Sequence, residues 1–171
     1  ANTTGSDNNA FGRQTLDACT TGSNNSAFGS YALGALTEGA FNTALGVGAL
    51  QTATTPNNNT AVGHTALSSC TTGSENVAVG RLALFSTTTG NNSVGIGYSA
   101  LQAMTTGANN IGIGNYAGDA ITTASNNLAI GRNALTENTS GANNVAVGNY
   151  ALGANTTAGD NTAVGYGALT A

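Results

Sequence analysis

The chain of 171 residues carries three Arg, no Lys and seven acidic residues, for a net charge of −4. Three cations cannot neutralise the row of phosphates a nucleic-acid partner presents, which excludes the usual kind of nucleic-acid binder. Its 40% apolar content includes no run near the ~18–20 residues of a membrane-spanning helix, so no membrane insertion of this segment is expected.

One glycine recurs every seventeen residues, as Gly12, Gly29, Gly46, Gly63, Gly80, Gly97, Gly114, Gly131, Gly148 and Gly165, without insertion or deletion. A fixed period of this length is the signature of a solenoid or array. No linker or change of composition divides the run, so residues 1–171 read as a single repeat segment. Ala1 and Ala171 occupy the same position of the repeat, which reads as an excerpt from a longer fibre chain.

Each repeat opens on a threonine without exception, from Thr3 and Thr20 to Thr139 and Thr156. Two residues later Gly occurs seven times, but Pro56, Ala124 and Ala158 also stand there, so that position does not require a left-handed backbone. Next comes an asparagine four residues before the recurring Gly, in nine of ten repeats, with Ser93 the exception. Asparagines such as Asn144, stacked at the strand spacing, can pass amide hydrogen bonds from coil to coil. Sequons such as Asn24-Asn25-Ser26 arise where the Asn and Thr or Ser positions lie close, and a row of glycosylation acceptors is the weaker reading.

The strand follows. The residue before the recurring Gly is always bulky and apolar, from Phe11 to Val147 and Val164, and the one before that is always Ala or Gly, as at Ala129 and Ala146. Neighbours on a strand face opposite ways. One face therefore demands bulk and the other smallness, and both are expected to be buried, one of them against another copy of the chain. The sequence does not say which. The Gly itself implies a positive φ or a very close backbone approach.

Two variable positions come next, then an Ala-Leu pair, as in Ala32-Leu33, read as a second inward segment with Leu filling the coil. Gly118 deletes that Leu, and Ile121 is expected to fill only part of the gap, leaving a void. Apolar residues never sustain helical spacing, so the chain reads as all-β: a parallel β-solenoid of ten coils, ~48 Å long at ~4.8 Å per coil. Two or three large apolar residues per coil are few against the ordering of seventeen, so association is expected to stabilise the rod.

The motif NNVAVG at Asn143–Gly148, with NSVGIG at Asn92–Gly97, resembles the head repeats of YadA-like trimeric autotransporter adhesins. The longer form, TTG-x-N-N-x-A-V-G-x-x-A-L, is similar to repeats in phage tail-fibre proteins, and the resemblance runs from Thr3 to Leu169. It implies a left-handed parallel β-roll, a homotrimer around one axis, and a place outside the cell on a virion or cell surface. A host receptor or glycan would then be met through a tip domain outside this segment.

Enzymatic chemistry finds no pattern. His64 is the only histidine and shares a variable position with Arg13, Arg81, Arg132, Tyr98 and Tyr166. Asp7, Glu75 and Asp160 share a position without a calcium-binding repeat around it, and no cofactor or metal site is read. Cys19 and Cys70 lie three periods apart, ~14 Å along the rod, too far for a disulfide. Receptor contact along the shaft would use the variable positions after the Gly, with Tyr31, Tyr116 and Tyr150. A structural repeat of a long filament and, from the Thr row, an ice-binding solenoid are the alternatives.

Overall fold

The computed structural model describes residues 2–170. Ten three-residue strands, β1 (Asn9–Phe11), β2 (Ser26–Phe28), β3 (Thr43–Leu45), β4 (Thr60–Val62), β5 (Val77–Val79), β6 (Val94–Ile96), β7 (Ile111–Ile113), β8 (Leu128–Ile130), β9 (Val145–Val147) and β10 (Thr162–Val164), form one parallel sheet in sequence order. Each residue pairs with its equivalent seventeen positions on, as Ala129 pairs with Ala146 and Ile130 with Val147. The chain is therefore a β-solenoid whose turns stack in register. Each turn is named below by its strand.

The two faces of the sheet are now distinguishable. The Ala/Gly row points into the coil and is closed off: Ala27, Ala44, Ala61, Ala78, Ala129 and Ala146 are fully buried. The bulky row points outward, and on this single chain it is open, with Phe11 75%, Leu45 50% and Val164 70% exposed. The expectation that both faces are buried thus holds for one face only within the chain. Smallness inside has a local cause. A Cβ on Gly112 would sit 2.8 Å from Leu101 Cγ and 2.9 Å from the Ala117 carbonyl oxygen. Enlarging this row therefore attacks the coil itself rather than a contact between chains.

Leucines fill the interior, with Leu33, Leu50, Leu67, Leu84, Leu101 and Leu135 fully buried. The Ala-Leu segment is not a strand. Turn hydrogen bonds Ala32 N to Gly29 O, Gly34 N to Tyr31 O and Leu36 N to Leu33 O overlap along it. A β-turn of this kind needs a positive φ at its third residue, and Tyr31 and Leu33 supply it at 64° and 49°. Nine leucines of this row share that conformation, with φ between 49° and 56°. An L-residue there costs about 1–2 kcal/mol. The conformation is held by bonds to the neighbouring turn, such as Leu33 N to Ala49 O at 3.0 Å, and by burial of the side chain.

The void expected at Gly118 is absent. A Cβ there would lie 2.9 Å from Leu101 Cδ2 and 3.0 Å from Ile121 Cδ1, so those two side chains have closed over the missing leucine. Ile121 is 1% exposed. Gly118→Leu, the majority residue of the row, is accordingly expected to destabilise by about 1–3 kcal/mol through overpacking. Adding Ile121→Ala should restore most of the loss, as thermal melts of the two single variants and the double variant would show.

Candidate functional surface

The recurring glycine answers to both of its readings. All ten have φ between 125° and 141°, a region open to glycine. A Cβ on Gly114 would meet the Gly131 carbonyl carbon and oxygen at 2.7 Å, and the same clash recurs along the row from Gly12 to Gly148. These residues let successive turns touch through bare backbone.

The asparagine row is a buried ladder. The Asn144 amide nitrogen donates to Asn127 Oδ1 at 3.0 Å, its Nδ2 donates to the same oxygen at 3.2 Å, and that Nδ2 also donates to the Ala158 carbonyl at 3.0 Å. Asn25, Asn42, Asn59, Asn76, Asn110 and Asn127 are also buried in this row. The threonine row makes a second ladder. Thr37 O accepts from the amides of Thr20, Thr21 and Gly22 and from Thr20 Oγ1 at 3.2 Å, and the same hydroxyl bond recurs in every later turn to Thr139. A row that would suit an ice-binding face thus directs its hydroxyls along the rod.

Beside the glycine row lies the polar edge. Arg13 stacks over Tyr31 at 5.3 Å, Arg81 over Tyr98 at 5.5 Å and Arg132 over Tyr150 at 5.0 Å. Tyr98 packs edge-on against Tyr116 at 5.2 Å and Tyr150 against Tyr166 at 5.9 Å. Every arginine and tyrosine of the chain is in one of these stacks. The sequence placed these residues in shared positions, but seeing the Arg faces on Tyr required the one-turn offset between neighbouring rows. A shallow hollow of ≈ 270 Å³ opens next to them, lined by Gln14, Asp17, Tyr31, Gly34, Ala35, Gln51 and Thr52.

No catalytic arrangement converges here. His64 is exposed, and its neighbour Thr65 turns its hydroxyl to the His64 carbonyl at 2.8 Å. Among the described residues no three His, Cys, Asp or Glu side chains are grouped as metal ligands. Cys19 and Cys70 are free and buried. Burial pushes the Cys70 thiol up to about 11, against a hydrogen bond with the Gly73 backbone. No helix of the described residues is long and apolar enough to cross a membrane. No family model, curated protein or solved structure matches this chain.

Two defects coincide in one turn. Ser93 replaces the ladder asparagine; its hydroxyl still accepts from Asn110 N at 3.2 Å, but it has no amide to donate. Thr87 Oγ1 is buried without a partner. Equivalent positions one turn up, Asn110 and Met104, touch at 3.4 Å between Nδ2 and Sδ. Ser93→Asn should therefore complete the ladder and reach Thr87, stabilising by about 1–2 kcal/mol in a denaturant titration.

Asp119 supplies a pH test. Burial holds its carboxyl above the ordinary value, although the Thr136 hydroxyl, at 2.7 Å, favours the ionised form. A carboxyl raised in the folded state binds more protons there than in the unfolded state, so its contribution to stability falls as pH rises through the carboxylate range. Asp119→Asn is expected to raise the melting temperature at neutral pH and to narrow its difference from wild type as the solution is acidified.

Proposed function

We propose that this chain is a non-enzymatic structural segment, the shaft or head of a homotrimeric extracellular fibre on a virion or cell surface. It serves attachment by holding a receptor- or glycan-binding tip away from the base. In this reading the roll is left-handed and three copies share one axis along the rod.

One observation carries the proposal. The first and last residues of the ten strands, which form the outer face of the sheet, include no charged side chain. From β5 to β9 they are uniformly Val, Ile or Leu. Ile96, Ile111 and Ile113 stand at 36–38% exposed with nothing in the chain to cover them. An apolar strip ~43 Å long, repeating at ~4.8 Å, is matched along its length by a surface with the same repeat. A second and third copy of this chain have that repeat. Burying the strip would also compensate for the thin interior, in which each turn contributes mainly one Leu and small side chains.

Light scattering on the segment is expected to give the mass of three chains. A monomer at every concentration would overturn the proposal, and open-ended assemblies would favour a filament instead. Ile113→Asp, which sets like charges together at the axis without touching the coil interior, should dissociate the trimer while leaving the β-sheet circular dichroism of the chain intact.

A further inference from the structure

The outer face of each turn is four residues wide, and its two flanks carry a code. In β1 the outward residues are Asp7, Asn9, Phe11 and Arg13, and in β3 they are Phe41, Thr43, Leu45 and Val47, all exposed. The flank before the strand is Asn or Asp in eight turns, and every residue of that row has a positive φ. Asn and Asp tolerate this conformation; Phe41 at 60° and Glu75 at 62° are strained in it. Phe41 is in addition 61% exposed, so nothing within the chain repays the strain.

The opposite flank, immediately after the recurring glycine, resolves the anomaly. In the turn where the first flank is Phe41, the second is Val47, itself 49% exposed. Where the first is Glu75 the second is Arg81, and where it is Asp7 the second is Arg13. Asn109 stands with Asn115, Asn143 with Asn149, Asp160 with Tyr166, and no turn sets two like charges on its flanks. These partners cannot meet inside one chain. Six residues of near-extended backbone, up to about 20 Å, separate them across the width of the face, in their own turn and in the turns on either side.

We infer that the flanks pair between copies: Asp7 with Arg13, Phe41 with Val47 and Glu75 with Arg81 of a neighbouring chain, in the same turn. Any rotation axis running along the rod sets the leading flank of one copy against the trailing flank of the next, at equal height, when the turns are in register. A reversed copy would instead bring leading flank to leading flank, with Asp7 against Asp160. The pairing therefore fixes direction and register, which the uniform Val and Ile strip leaves open to slips of one turn. The Arg–Tyr stacks suit this task, since a guanidinium lying on a ring keeps its N–H edge free for a carboxylate.

This inference rests on association through the outer face, and charge reversal separates the two. Glu75→Arg alone and Arg81→Glu alone are each expected to weaken association by about tenfold or more at low ionic strength, measured by sedimentation equilibrium. The double variant Glu75→Arg/Arg81→Glu should return close to wild type. Because the two residues are beyond reach within a chain, such rescue requires contact between chains. Asp7→Arg/Arg13→Asp and its two single variants repeat the test at β1, and circular dichroism melts establish that each variant is folded. An assembly that forms normally but ignores the single reversals, or is not rescued by the double, overturns this inference and leaves the fibre proposal standing. A wild-type chain that never associates overturns both.

Discussion

Translation by one turn governs this structure. Every buried polar group has to be satisfied by its own equivalent about 4.8 Å away. Asparagine meets that demand because its side chain is both donor and acceptor, so Asn127 Oδ1 can take the Asn144 amides while each Nδ2 still reaches a carbonyl. Threonine meets it by adding a hydroxyl to a carbonyl that already collects backbone amides. Glycine meets it by removing the Cβ where two turns touch. A residue without these properties breaks the relay in both directions, as Ser93 and the orphaned Thr87 hydroxyl show.

The same translation explains how the chain sustains four positive-φ residues per turn, most of them not glycine. A lone leucine at φ near 50° would relax. Here its amide is bonded to the turn above and the residue three positions on donates back to its carbonyl, as with Leu33, Ala49 and Leu36. Its side chain is meanwhile enclosed by its neighbours in the row. Strain is spread over the stack and held by contacts that repeat with it.

The period, the parallel stacking, the leucine-filled interior and the rule for the recurring glycine were all legible in the sequence, because recurrence within one chain exposes what each position tolerates. Two things were not. Alternation along a strand separates two faces but does not orient them; the identity of the inner face depended on how close Leu101 comes to Gly112 and Ala117. The left-handed Leu and Tyr rows were also hidden, since neither residue type signals that conformation and the overlapping turns that impose it are tertiary products. Gly118 joins these cases: a missing side chain predicts a void only if neighbours stay put, and Leu101 and Ile121 did not.

The inner and outer rows of the strand obey different kinds of constraint. Inside, the limit is volume: Ala or Gly fits, and little else. Outside, no contact within the chain restricts the rows at either end of the strand, yet the residues there stay uncharged throughout and become β-branched or Leu along half the rod. Charged and strained residues appear only on the flanks, where Glu75 and Phe41 occupy a backbone conformation that suits neither. A surface free to face water would have no reason to confine charge to its margins or to accept strain for an exposed phenylalanine. The distribution is that of an apolar centre with a polar, selective rim, the anatomy of a surface made to be covered.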